Sequence, residues 1–546
     1  MIKRIFNSQA KSVTIGASLM LFSGIASKFL ALIRDRLLAG RFGAGEELDI
    51  YFTAFRMPDL VYGILILGGV ATVFLPVFSE YFRKDEKEGW KLANSVLNSF
   101  LLLMVVICGV LAVFTPAVIK LVAPGFSASQ QAATVELTRI MFLSPIFFGL
   151  SSVFSGILHY FNRFFAYSLA PVFYNLGIIF GIVFFVPFFG LKGLAFGVVL
   201  GALLHCLIQL PVAKNSGFKY SFFLNFRHPG ILKIFKLMLP RTVGTAAYHL
   251  NLIVLTAIAS TLAAGSIAIF NFSNNLQYLP VGLFGVSFAV AAFPVLSRSW
   301  ADKDKRLFLD NFSSSFSQLV FLVVPVSFLI FLLRAQIVRL VFGTGEFGWQ
   351  DTRLTAASLG LFCLGIFAAS LVPLLARTFY SFQNTKTPMA IGVATVFLNI
   401  VLSFLFINLL REPGFFQESA RSLLKIEDIG DISVVALPLA LSFSGIFQFL
   451  ALLAFLKKEL GGIGAKKILA SFQKVVLASF LMAGVVYFSL RAAANLVDMQ
   501  TFFGILSQTA LSASAGLLAY FLAVRLLKLP ELELIKSAVL KEFRKQ

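Results

Sequence analysis

The residues of this chain best suited to chemistry are cations set in apolar sequence. Lys28, Arg34, Arg36 and Arg56 fall within the first two long apolar stretches, with Asp35, Asp49 and Asp59 close by. A charge at mid-membrane costs about 2.5 to 3.5 kcal/mol on insertion scales, so such residues face a wet interior and mark a substrate path. Positive charge at that depth selects an anion, and a guanidinium suits phosphate through charge-assisted hydrogen bonds. Lys28 lies about one and a half turns before Arg34, and six residues set the two roughly 120° apart around a helix. They can line one wide cavity but cannot meet at one small atom. Arg36 and Arg41 approach the outer end of the same helix and read as snorkelling headgroup anchors. A further polar cluster, Asn271, Ser273, Asn274, Asn275 and Gln277, opens the eighth stretch. Its amides suit sugar or peptide groups, and they suit bridges between helices equally well. Arg241 and Arg377 sit near cytoplasmic span ends, where headgroup anchoring accounts for them.

Catalytic patterns are scarce. The four histidines, His159, His205, His228 and His249, stand apart, none at metal-ligand spacing from another. No Gly-rich loop ends in Gly-Lys-Ser or Gly-Lys-Thr, so no nucleotide motor is encoded here. Cys108, Cys206 and Cys363 all lie inside apolar stretches at unrelated spacings and read as packing residues. A membrane glycosyl- or acyltransferase would need paired carboxylates or a His-Asp pair at the membrane surface, and neither is found. The expectation is a non-enzyme with no catalytic residues, metal or cofactor, driven by gradients or by its substrate.

The elements that must position these cations are membrane helices. Of 546 residues, 58% are hydrophobic and 13% charged, and the mean hydropathy is +0.89, far from the composition of soluble domains. Phe alone supplies 64 residues, an apolar choice with no hydrogen bonds to satisfy in hydrocarbon. The net charge of +21 follows from Lys and Arg retained on the cytoplasmic side and does not indicate nucleic acid. Basic clusters at Lys3 to Lys11, Arg83 to Lys91, Lys214 to Lys236, Arg298 to Arg306, Lys457 to Lys467 and Arg525 to Lys545 each follow an even number of spans. Both termini are therefore expected in the cytoplasm. Lys3 and Arg4 before an apolar stretch imitate a signal peptide, but with no small-residue cleavage site before Arg34 the stretch reads as a retained first helix.

Apolar runs predict six spans between about 13 and 213, six between about 234 and 457, and two more within about 468 to 527. The implied organisation is an N-terminal lobe 1–213, a basic cytoplasmic linker 214–233, a second lobe 234–457, two additional helices 468–527 and a cytoplasmic tail 528–546. The lobes share fragments at an offset of roughly 220 residues, as duplicated transporter halves do. Ala44-Gly45 matches Ala264-Gly265, Phe74-Leu75-Pro76-Val77-Phe78-Ser79 matches Ala292-Phe293-Pro294-Val295-Leu296-Ser297, and Val172-Phe173-Tyr174-Asn175 matches Val396-Phe397-Leu398-Asn399. An even number of spans per repeat sends both halves into the membrane in the same direction, so the predicted symmetry axis runs along the membrane normal. The fold class is an all-α membrane protein of about fourteen transmembrane helices. Prolines inside spans, including Pro58, Pro171, Pro280 and Pro373, bend helices. The loop from Arg411 to Asp431, the longest expected on the outer side, is mixed in charge and shows no obvious fold.

These motifs resemble the MurJ/MviN family, the lipid II flippases of peptidoglycan synthesis, within the multidrug/oligosaccharidyl-lipid/polysaccharide exporter superfamily. The resemblance rests on Ser27-Lys28 with Arg34-Asp35, Phe42-Gly43-Ala44-Gly45 followed by Asp49, Ala54-Phe55-Arg56-Met57-Pro58, Ala123-Pro124-Gly125-Phe126, and Phe379-Tyr380-Ser381 before Lys386-Thr387-Pro388. It implies a central cationic cavity in which basic residues of the first, second and eighth helices hold the substrate's pyrophosphate, with Ser27, Lys28, Arg34, Asp35, Asp49, Arg56 and Asn275 as substrate-binding residues, and a groove for the polyprenyl tail at the last two helices. Lipid II, membrane lipids and cell-wall synthesis proteins are the implied partners, in a bacterial inner membrane. Lys28 stands where the family usually has Arg, Tyr62 and Asn275 also replace Arg, and Leu67 replaces Glu, which thins the clamp. Leu255 and Asn384 replace the acidic residues of a sodium site described for some members, so sodium coupling is not expected. The alternatives are a flippase for another polyprenyl-pyrophosphate-linked glycan and an ion-coupled drug antiporter. The antiporter would want buried carboxylates, of which the third to twelfth spans offer little beyond Glu136.

Overall fold

The computed structural model describes residues 13–462, 465–533 and 536, without the side chains of 13–18, 67–72, 239–241, 243–245 and 465–467. Lys3, Arg4, Lys11, the tail beyond 536 and the side chains of Leu67 and Arg241 lie outside the described residues. Among those described there is no strand. Among the described residues, ten helices are long and apolar enough to cross a membrane, or eleven if Trp349–Cys363 and Ile366–Ser381, bent by 46°, form one span. Three further helical passages, Val13–Phe42, residues 46–84 and Pro229–Ala259, bring the total to the fourteen expected. The first two carry Lys28, Arg34, Arg56 and Asp59 within them.

The chain forms two compact units, residues 1–268 and 269–546. In the first, Phe74 and Phe78 are fully buried and begin an aromatic run through Phe82, Trp90 and Tyr160 with ring centroids 5.0–5.8 Å apart. Backbone contact joins the fifth and sixth spans, Phe164–Phe189 and Lys192–Asn215. A Cβ on Gly177 would sit 2.3 Å from Gly201 Cα, and one on Gly181 would sit 2.4 Å from Gly197 Cα. Small residues four apart on both helices permit that approach where apolar side chains would gain nothing over lipid. The basic linker after the sixth span is stitched to the third, Glu86–Val122. Asn94 Nδ2 donates to the Lys219 carbonyl at 3.0 Å, and Asn98 Nδ2 donates to those of Ser221 and Phe223 at 3.1 Å. His228 then caps the seventh span, its Nδ1 accepting the Gly230 N–H at 3.1 Å. That seventh span packs within the first unit, so the contact boundary after Ala268 falls one helix later than the renewed start of the repeat at about residue 234.

In the second unit the long helix Lys305–Phe342 packs against the last two, Ala465–Ala494 and Phe502–Leu526. Tyr520 in the last helix donates its buried hydroxyl to the Phe321 carbonyl at 2.8 Å. This ties both additional helices to the unit's core. Each repeat carries a π-helical stretch at an equivalent place, Tyr62–Val70 after Pro58 and Val281–Val286 after Pro280. Prolines remove a backbone donor there, and π turns are a common accommodation at functional positions.

The segment from Arg411 to Asp431, not obviously folded by sequence, holds a helix at Phe415–Leu424. Mixed charge hid a sequence whose apolar residues, Phe415, Phe416, Ala420, Leu423 and Leu424, recur at helical period on one face. The Arg353 guanidinium donates to the Lys425 carbonyl and to Asp428 at 2.6 Å, and this hydrogen bond holds the Asp428 carboxyl below the usual carboxylate range.

Candidate anion site in the first unit

Arg34 lies in the C-terminal half of the first helix, Val13–Phe42. Its Nε and Nη2 donate to Asp35 Oδ1 at 2.9 and 2.7 Å, and its Nη1 donates to Asn175 Oδ1 at 3.2 Å. Asn175 is itself held in place. Its Nδ2 reaches the Ser27 hydroxyl at 3.3 Å and the Pro171 carbonyl at 3.0 Å, so Ser27 acts on the site through this amide. The ion pair is deep, with 20% of the Arg34 side chain and 3% of the Asp35 side chain exposed. Two of the five guanidinium N–H groups are not drawn into these bonds.

Arg56, buried at the start of the helix Arg56–Val61 in the second span, donates Nε to Thr256 Oγ1 in the seventh at 2.7 Å. Asp59, one turn on, lies within electrostatic reach of both Arg56 and Arg34. Lys28 differs from both arginines: it is half-buried and has no carboxylate partner among the described residues. Taken as ionised, three cations and two carboxylates leave one positive charge on Lys28, Arg34, Asp35, Arg56 and Asp59.

Asp49 has a different set of partners from the anion contacts that the resemblance implies. Both of its oxygens accept backbone N–H groups at the start of the eighth helix, Oδ2 from Gly265 at 2.7 Å and Oδ1 from Ala268 at 2.8 Å. A carboxylate at a helix N-terminus satisfies orphan donors and complements the dipole. Gly265 has φ +86°, and a Cβ there would lie 1.9 Å from the Ala44 carbonyl. The repeated Ala-Gly pairs thus meet, and only glycine fits the second.

Asn275 stands half-buried on the eighth helix in the second unit. Nearby, Gln277 Nε2 donates to Asn274 Oδ1 at 3.0 Å and Ser273 bonds back to the Ile269 carbonyl at 2.8 Å, so part of the polar cluster serves its own helix. Arg41 is exposed, as an anchor would be, and Arg377 lies 5.9 Å from the Phe293 ring centre. Glu136 pairs with Lys192 at 2.6 Å near two span ends. Asn384 Oδ1 accepts the Thr387 N–H at 3.1 Å, and its Nδ2 donates to Glu459. Among the described residues no three His, Cys, Asp or Glu side chains gather as a metal set.

Each unit also holds a cavity of its own. One of about 570 Å³ in the first unit is lined by Tyr62, His159, Tyr167, Ser168 and His205 among others. Another of about 440 Å³ in the second unit is apolar and lined by Phe328, Phe331, Phe367, Phe472, Val476 and Phe480. Asn175 and Thr256 were not singled out as site residues by sequence reasoning. Asn175 had a signal, since the repeated Val-Phe-x-Asn fragment places a polar amide on an apolar span twice, and both Asn175 and Asn399 are buried.

A many-spanned helical chain with cations inside its spans has the architecture of a membrane transporter, and its fold is that of the MOP superfamily. The inward-facing structure of a multidrug resistance MATE family transporter of that superfamily aligns at a TM-score of 0.64 and 14% identity, over 83% of this chain and 98% of its own. The lipid II flippase MurJ, in an inward closed conformation, aligns at 0.73 and 26% identity, over 93% of this chain and 99% of its own. The probable lipid II flippase MurJ of Buchnera aphidicola subsp. Acyrthosiphon pisum (strain APS) is 31% identical over 397 residues, 71% of this chain and 77% of its own. The family model described as lipid II flippase MurJ matches residues 38–507, and the chain belongs to that family.

Proposed function

We propose that this protein carries lipid II from the inner to the outer leaflet of the bacterial inner membrane by alternating access, with no enzymatic step of its own. The observation that carries the reading is Lys28, a half-buried cation in a membrane helix with no carboxylate partner among the described residues. A pyrophosphate supplies the missing negative charge, with Arg34 and Arg56, already oriented by Asn175 and Thr256, at the edges of the site. Asn275 would contribute an amide, and the apolar cavity beside Phe472, Val476 and Phe480 of the thirteenth span suits a polyprenyl tail. The Lys and Arg bias supports cytoplasmic termini, and the repeated fragments support two six-span lobes at 1–213 and 234–457. A second reading, another polyprenyl-pyrophosphate-linked glycan, is favoured by the uncharged Tyr62 and Asn275.

Replacing Lys28 tests the reading without orphaning a buried carboxylate. A hydrogen bond to a charged group contributes about 1.5 to 3 kcal/mol, so Lys28→Gln should weaken lipid II binding roughly tenfold to a hundredfold, with thermal stability unchanged. Lys28→Arg should bind as the native protein does. Titration of purified protein with lipid II, and with a polyprenyl-pyrophosphate of different glycan, measures both affinities. Native affinity in Lys28→Gln would remove Lys28 from the site, and preference for the other glycan would select the second reading.

A further inference from the structure

The helix Phe415–Leu424 lies between the eleventh and twelfth spans, and the proposed flipping does not use it. None of its residues is buried, and Phe415 and Leu423 are 88% and 78% exposed. At 100° per residue, Phe415, Leu423, Phe416, Ala420 and Leu424 occupy one half of the helix surface, with the small hydroxyl of Ser419 among them, and Gln417, Glu418, Arg421 and Ser422 occupy the other.

We propose that this helix is an interfacial anchor whose apolar face is seated in the boundary between lipid headgroups and acyl chains. Its depth follows from the span before it. Lys386–Arg411 has 26 residues, about 39 Å at 1.5 Å per residue, which exceeds the roughly 30 Å hydrocarbon core and brings Arg411 to the headgroups. The helix begins four residues later. Phe406 of that span stacks on Phe416 with centroids 6.2 Å apart and rings inclined by 7°. The exposed Phe404, Leu405 and Leu409 are on the same span, so the helix extends its lipid-facing surface.

The polar half is fixed to the protein. Gln417 Nε2 donates to the Leu410 carbonyl at 2.8 Å, Arg421 Nη2 donates to the Gly430 carbonyl at 2.8 Å, and Arg353 binds the Lys425 carbonyl at the C-cap. With that half engaged and Phe416 seated on Phe406, Phe415 and Leu423 face away from the protein. Charge then distinguishes the kind of lipid. Between 411 and 431, Arg411, Arg421 and Lys425 are outnumbered by Glu412, Glu418, Glu427, Asp428 and Asp431. The segment does not attract anionic headgroups, so the anchor works by apolar insertion and fixes the depth of the hairpin formed by these two spans.

The test uses the full chain in vesicles, with an environment-sensitive nitrobenzoxadiazole probe on Leu423→Cys and, separately, on Phe415→Cys. The native cysteines are buried, and unsubstituted protein gives the labelling background. In phosphatidylcholine vesicles the probe at either position should shift to the blue and be quenched severalfold more by shallowly brominated chains than a probe on Ser422→Cys on the polar face. Replacing about a third of the lipid by phosphatidylglycerol, which gives the surface a negative potential, should leave that ratio unchanged. Equal, water-like signals at all three positions would overturn the proposal. So would quenching that needs phosphatidylglycerol, or shielding that appears only when a second protein is added.

Discussion

Arg34→Ala is expected to abolish transport and to destabilise the protein by about 3 to 5 kcal/mol, the range for breaking a buried ion pair by removing one partner. The second effect arises because Asp35, with 3% of its side chain exposed, would lose its buried ion pair with Arg34. The two effects separate in the double variant Arg34→Ala/Asp35→Asn, which removes both charges. Insertion and thermal stability should largely return in the double variant while transport stays absent, because the anion's partner is still missing. Arg41→Ala, at an exposed position, should be mild. Recovery of transport in the double variant, measured by complementation and by flipping in vesicles, would make Arg34 a structural residue only.

Asp49→Ala should produce the next largest effect. It leaves the buried N–H groups of Gly265 and Ala268 without their acceptor, and each hydrogen bond to a charged group contributes about 1.5 to 3 kcal/mol. Thermal unfolding in detergent should shift down by several degrees. Asn offers one acceptor oxygen in place of two, so Asp49→Asn should fall between Ala and the native protein. Unchanged unfolding with lost lipid II binding would instead make Asp49 a substrate contact, as the family resemblance implies.

The membrane architecture was legible because hydropathy acts over twenty residues and tolerates local error. Spans were countable even where charges interrupt them, as at Arg34 and Arg56. The partners of those charges were not legible. Adjacent residues do not face each other on a helix, so nothing in the pair Arg34-Asp35 announces a bond, and it forms because the long arginine side chain folds back on its neighbour. Asn175 is 141 residues from Arg34, and Gly265 is 216 from Asp49. At the start of its own short helix, Glu46–Ala54, Asp49 reads as a complement to that helix's dipole, and tertiary packing gives it to another. The helix at Phe415 was missed for a different reason. Ten residues of mixed charge between two strong apolar spans give a periodic signal too short to stand out.

The central claim is tested most directly by lipid II itself, in proteoliposomes containing this protein and no ATP. An imposed potential, negative on the cytoplasmic side, contributes about 2.3 kcal/mol per charge per 100 mV, and about twice that for a pyrophosphate of roughly two charges. Positive charge at Lys28 that moves with the substrate subtracts from this. Outward movement should exceed that of protein-free vesicles, quicken with that potential, slow when it is reversed, and vanish in Arg34→Ala/Asp35→Asn. A rate equal to that of protein-free vesicles, or one indifferent to potential and dependent on added ATP, would contradict the account.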